Sequence, residues 1–307
     1  MGEKELSLGD IVQLAYILSV YPSLSETFIA REITQLLQMG YKISICRIKP
    51  IENKKNNHLS HLNLTISPYL LNPAMWFLGA YWAWRARRNA LKIAWQSYSN
   101  SGGCFTDRLK LLVIFLTVLG MAYYLHEYKI SHIRANFLHT EAISAYWLSI
   151  LLDVPYSITV HTRMIYFPKQ LMQEVLENTA FCSGISIDAL EFIQKFTRRT
   201  IDAYLIRNGV LLAEYPAVIN VRNSGIPLII AVGRLVRKKG FDTLIQACAL
   251  LKREGVQFMC HIIGSGGEYK LLEKLVIENG LQQNIRFLGA LSFQDIVNKR
   301  NRFIGTS

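Results

Sequence analysis

Acidic residues are scarce in this sequence. Only 22 aspartates and glutamates stand against 34 lysines and arginines, a formal charge of +12. Such a balance suits nucleic acid, an anionic membrane or phosphorylated substrates. The basic residues fall in short clusters, Arg85-Ala86-Arg87-Arg88, Arg198-Arg199 and Arg237-Lys238-Lys239. None is a long tail interleaved with aromatics, so nucleic acid is not expected as a partner. Cysteine is also sparse. Cys46, Cys104, Cys182, Cys248 and Cys260 show no metal-ligand or redox spacing. Their odd, scattered count fits a reducing compartment. Cys46, Cys248 and Cys260 lie in apolar patterns, where a small buried thiol is expected. No long polar or low-complexity tract occurs, which argues against disorder. The polar, acidic N-terminus lacks the form of a signal peptide, and apolar residues 11–20 read as the start of a strand. The one long apolar run, residues 109–125, is slightly short for a membrane span and runs straight into His126 and Glu127. A buried helix is expected there, with a membrane-inserted helix as the alternative.

With 307 residues, 51% of them apolar, the chain is long enough for two domains with real cores. Residues 12–19, 25–39 and 41–48 read as strand, helix and strand, a βαβ unit that predicts a parallel sheet. Residues 53–57 are a polar loop. Residues 73–96 read as one aromatic-rich helix with a basic side at Arg85, Arg87, Arg88 and Lys92, and 109–128 as another helix. Strands are expected at 130–137, 156–160, 181–183 and 203–207, and helices at 140–152 and 186–195. Residues 210–226 have no clear period and contain Pro216 and Gly225, a candidate boundary. The expected domains are 1–212 and 213–307. In the second, strands at 228–232, 257–263 and 284–287 alternate with helices at 243–252 and 269–278. A doubly wound domain normally has about five or six strands, so this one reads as incomplete.

The most informative stretch is Gly233-Arg234-Leu235-Val236-Arg237-Lys238-Lys239-Gly240. It follows an apolar run, 227–232, that reads as a buried strand, and it precedes a helix. Arg234 and Lys239 then lie in a strand-to-helix loop beside free amides at a helix start. Fixed positive charge, amide donors and the helix dipole together suit a diphosphate. A solvated basic loop is the plainer alternative. Gly264-Ser265-Gly266-Gly267 also follows a strand and opens a helix, where backbone approaches a ligand or a turn tightens. It lacks the third glycine of a dinucleotide fingerprint. Ser25 is a candidate cap for the first helix.

Several motifs occur in one order: Ser25-Glu26-Thr27-Phe28 with Arg31-Glu32, then His132-Ile133-Arg134-Ala135-Asn136-Phe137, Thr159-Val160-His161 and Asn208-Gly209-Val210. Gly233-Arg234-Leu235 with Lys239-Gly240, and then Gly264-Ser265-Gly266, follow. Together they resemble the group-1 (family 4) glycosyltransferases, most closely the exopolysaccharide branch of colanic-acid type. The resemblance implies a GT-B α/β fold of two Rossmann-like domains with parallel sheets. It implies transfer with retained anomeric configuration from a nucleotide-sugar to a polysaccharide or lipid-linked acceptor, without a cofactor or bound metal. It places the protein in the cytoplasm, including the inner face of the membrane. By position, Arg234 and Lys239, with Gly233, Gly264 and Gly266, would serve the donor. His161 would act at the reacting region, and Ser25, Glu26 and Thr27 would line the acceptor or cleft loop.

The departures from that pattern are specific. Arg134 and Asn136 stand where the family has histidines. Met164 and Leu211 stand where many relatives have acids. The family's Glu-x7-Glu pair is absent from residues 1–307, and residues 298–307 drift from the expected pattern. The expectation is a transferase by descent whose chain is cut short in the donor domain, poorly soluble and without transfer activity alone. A binding remnant and a nicotinamide-dependent oxidoreductase are the rivals. Arg234, Lys239 and the lack of Gly-x-Gly-x-x-Gly after the first strand disfavour the oxidoreductase. Peripheral contact with anionic membrane is expected through the basic side of 73–96.

Overall fold

A computed structural model describes residues 12–21, 26–48, 65–67, 73–99, 105–161, 167–210, 225–292 and 295–296. The chain divides into two compact units, Met1–Gly209 and Val210–Ser307.

Among the described residues the first unit has seven strands: β1 (Gln13–Leu18), β2 (Lys42–Arg47), β3 (Thr65–Ser67), β4 (His132–Ala135), β5 (Tyr156–Val160), β6 (Phe181–Gly184) and β7 (Ala203–Leu205). They form one sheet in the order β3-β2-β1-β4-β5-β6-β7, and every pairing is parallel. Its helices are α1 (Thr27–Gln38), α2 (Pro73–Arg85), α3 (Arg87–Ser99), α4 (Phe105–His126), α5 (Thr140–Leu152), α6 (Lys169–Glu177) and α7 (Ile187–Phe196). Strand alternation splits the core in two. Ala15 and Ile17 of β1 join the cluster holding Met121, Trp147 and Ile158. Tyr16 and Leu18 point the other way, onto Ile29 and Ile33 of α1. Helices on both faces explain why β5 is buried at every position. Ser186 caps α7 by accepting from the Ala189 amide at 3.2 Å.

The second unit holds β8 (Leu228–Val232), β9 (Met259–Ile263) and β10 (Ile285–Phe287) with α8 (Phe241–Arg253) and α9 (Tyr269–Glu278). Its sheet is parallel, in the order β10-β9-β8. Phe241, Ile245 and Cys248 of α8 and Leu272 and Val276 of α9 pack over Cys260 and Ile262.

Several expectations change. The stretch 73–96 is two helices, because the helix ends at Arg85 and restarts at Arg87. Strand β8 is not buried: Ile230 is 36% and Val232 54% exposed, although His261 and Ile263 opposite them on β9 are buried. It lies at the sheet edge and has one neighbour among the described residues. The apolar run at 109–125 is α4, and only part of it is buried. Its length and composition would allow it to cross a membrane. Residues 169–177 and 65–67, left unassigned by the sequence reading, are α6 and β3.

Candidate functional site

In the first unit the candidate residues gather at the carboxyl ends of β1, β4 and β5, where ligands bind in open parallel sheets. His161 follows β5 directly. Its ring lies between Phe28 of α1 and Phe137 after β4, each with its centroid 4.9 Å away. Burial, reinforced by the nearby Arg134 guanidinium and opposed by Glu32, lowers its pKa to about 4. The imidazole is therefore neutral at neutral pH. It can donate one hydrogen bond and accept another, and it is a weak base.

Beside it lies an ion pair that spans 102 residues of sequence. Arg134 Nε donates to Glu32 Oε1 at 3.0 Å, and Tyr16 Oη donates to the same oxygen at 2.8 Å. Phe28 and Glu32 are four residues apart, so one face of α1 delivers the ring to His161 and the carboxylate to Arg134. Arg134 also donates to Ser157 Oγ at 3.4 Å. That hydroxyl lies 2.8 Å from His132 Nε2, and burial with the Arg134 charge lowers His132 to about 4. The sequence reading treated Arg134 as a departure and gave Glu32 no role. The second departure, Asn136, is 1% exposed, and neither side-chain polar atom has a hydrogen-bond partner among the described residues.

Ser25 lies outside the described residues, as do Met164 and Leu211. Glu26, not Ser25, precedes the first helical residue, Thr27, and its side chain does not cap the helix. Glu26 and Thr27 thus stand at the start of α1, directly before Phe28.

In the second unit backbone, rather than side chains, assembles the loops. The ladder between β8 and β9 continues past both strands: Gly233 N donates to Ile263 O and Leu235 N to Ser265 O, each at 2.9 Å. Glu268 N then donates to Leu235 O at 3.1 Å. The glycines at 264 and 266 are needed for this approach. A Cβ on Gly264 would sit 1.8 Å from Gly233 O, and one on Gly266 would sit 2.3 Å from Leu235 O. The sequence reading gave these glycines to the donor. Their observed contact is with the Gly233 loop.

Arg234 is exposed on that loop, and Lys239 is exposed at the end of a short 3-10 turn, Arg237–Lys239. Neither side chain has a protein hydrogen bond or ion pair among the described residues. The Lys239 stem runs past the loop, with its Cδ 4.0 Å from where a Gly233 Cβ would lie. Helix α8 begins two residues after Lys239, and its N-cap residue, Gly240, has no side chain to cap its amides. Asp242 in its first turn already meets part of the helix dipole. The two unpaired cations are therefore the stronger attraction for an anion.

The fold and this loop define a class. Solved structures with the same architecture include a glycosyltransferase from Rickettsia africae, with a TM-score of 0.61 and 14% identity over 94% of this chain and 70% of that one. A lipopolysaccharide outer core galactosyltransferase in its apo form aligns with a TM-score of 0.58 and 14% identity over 94% and 71%. The architecture is GT-B. It is not confined to transferases: a UDP-N-acetylglucosamine 2-epimerase from Rickettsia bellii aligns with a TM-score of 0.54 and 12% identity over 94% and 71%.

Sequence narrows the class. Residues 218–300 match the model of glycosyl transferases group 1. A GDP-mannose-dependent monoacylated alpha-(1-6)-phosphatidylinositol monomannoside mannosyltransferase of Corynebacterium glutamicum is 38% identical over 74 residues, 24% of this chain and 18% of that protein. A putative colanic acid biosynthesis glycosyltransferase, WcaL, of Salmonella typhimurium is 38% identical over 71 residues, 23% and 18%. The likeness thus spans less than a fifth of each curated relative.

Proposed function

We propose that this chain serves a retaining glycosyltransferase that moves a sugar from a nucleotide-sugar to a polysaccharide or lipid-linked acceptor. The observation that carries the reading is the pair of exposed cations, Arg234 and Lys239, whose side chains are unpaired among the described residues, within the segment that matches group 1 glycosyltransferases. In this reading they hold the donor diphosphate. As the glycosidic bond breaks, negative charge grows on the leaving phosphate, and the two side chains stabilise it where another enzyme would use a divalent cation. The neutral His161 holds a sugar hydroxyl or the reacting region. Glu26 and Thr27, with Ser25 before them, belong to the acceptor side. No cofactor or metal enters the scheme.

A second reading, a module that binds donor without transferring it, rests on the same exposed side chains, which can hold a diphosphate whether or not transfer follows. Incubation with UDP- and GDP-hexoses and a lipid-linked acceptor separates the two. A new glycoside with the donor's anomeric configuration, seen by mass and by proton NMR, supports transfer. Nucleotide binding without a glycoside supports the module. An epimerised donor, or no nucleotide binding, overturns both.

A further inference from the structure

A cleft of about 180 Å³ opens in the first unit beside the ends of α4 and α5. The chain leaves each helix through a left-handed residue, Lys129 with φ 47° and Asp153 with φ 55°. Lysine enters that region at a steric cost that glycine does not meet. Strands β4 and β5 begin three residues after these two positions, so the cleft lies at their amino ends. His161 lies at the other end of β5, roughly 20 Å from Val154 in the cleft wall.

The wall is mostly apolar. Leu125, Ile130 and Leu151 are buried side chains within it, and the Trp82 ring lines it with them. A cavity of about 150 Å³ takes one benzene ring, so a body of about six carbons fits here. Around Trp82 stand donors with no acceptor among the described residues. Trp82 is 5% exposed, and its Nε1 is buried without a hydrogen-bond partner. Lys129 lines the cleft, and its exposed ammonium has no hydrogen bond or ion pair. The Arg85 guanidinium lies 5.8 Å from the Trp82 ring centroid, and the His126 ring lies 4.8 Å from it. The neighbouring acids, Glu127 and Asp153, are exposed and do not line the cleft.

We propose that this cleft binds a small carboxylate with an apolar body of about six carbons. The body lies against Leu125, Ile130 and Leu151. The carboxylate takes a charge-assisted hydrogen bond from Lys129, and Trp82 Nε1 is its second donor. Arg85 and Lys129 make the local field positive, which favours a carboxylate over an amine. A cation near the end of α4 also suits the helix dipole. That role would account for Lys129, but it leaves the buried Trp82 N–H without an acceptor.

The cleft belongs to the first unit and the candidate nucleotide loop to the second, so its test needs no sugar transfer. The full chain is titrated calorimetrically with hexanoate and benzoate, and with hexanamide and benzamide as neutral isosteres. The acids should bind at least about tenfold more tightly than the amides, as one hydrogen bond to a charged group allows. Lys129→Gln should weaken the acids at least about tenfold and leave the amides unchanged. Its side chain is exposed, so the fold is kept. Trp82→Phe keeps a ring and removes the N–H, and it should weaken acids and amides alike. If that variant unfolds by circular dichroism, Lys129→Gln decides alone. UDP should leave hexanoate binding unchanged. Loss of UDP binding with hexanoate binding intact would strike the donor reading and leave this one standing. No binding of either acid overturns the proposal. So does equal affinity for acid and amide, or unchanged acid affinity in Lys129→Gln. Competition by UDP overturns it too, because the carboxylate would then lie on Arg234 and Lys239.

Discussion

The two units prepare their candidate residues in opposite ways. In the first, side chains hold one another: Glu32 is shared by Arg134 and Tyr16, and His161 is held between Phe28 and Phe137. In the second, backbone holds the loops, and the Arg234 and Lys239 side chains are exposed without protein partners among the described residues. The difference teaches which substitutions damage the fold and which touch only a ligand.

Gly264→Ala should have the largest effect. Its Cβ would overlap Gly233 O, and Gly264 has φ 150°, so the strand-end ladder must break. A loss of about 3–5 kcal/mol is expected, measured by chemical denaturation. A wild-type midpoint would dismiss the backbone account of the second unit.

Arg134→Ala comes next. It leaves Glu32, whose side chain is 35% exposed, beside Tyr16 without its cation. The partial exposure lowers the full penalty for an unpaired buried charge to about 1–3 kcal/mol. The same change removes a positive charge from His161 and His132, so both should titrate above about 4. Histidine ring NMR reads this shift. Unmoved pKa values would separate Arg134 from the histidine pair.

The pH dependence of the first unit follows from those histidines. Their folded pKa values, about 4, lie below the ordinary 6.5. Between those values the unfolded chain binds more protons, so folding stability falls as pH drops from 6.5 toward 4. Above 6.5 the contribution is complete. Denaturation at stepped pH should show this slope, and the double variant His132→Gln/His161→Gln should flatten it. A slope of wild-type steepness in that variant would assign the pH dependence to other groups.

The smallest stability change is expected for Lys239→Ala, within about 0.5 kcal/mol, because its side chain is exposed.

Much of the architecture was legible in apolar periodicity. Helices α5 and α9 and strand β5 fall at their expected residues, because each is a short, strongly patterned run. The break between α2 and α3 was not legible, since Arg85-Ala86-Arg87 contains neither glycine nor proline to mark it. Helix α6 follows Pro168, a start signal the reading passed over. The Glu32–Arg134 pair was beyond reach because it joins α1 to β4 across 102 residues. Gly264 and Gly266 were visible, but their cause was not: only the folded chain shows that their neighbour is the Gly233 loop.

The most direct test of the donor loop is calorimetric titration of the full chain and its Lys239→Ala variant with UDP and GDP. The account predicts equal unfolding temperatures and a loss of binding of about 1.5–3 kcal/mol, the range for a hydrogen bond to a charged group. Equal affinity in the two proteins would contradict it.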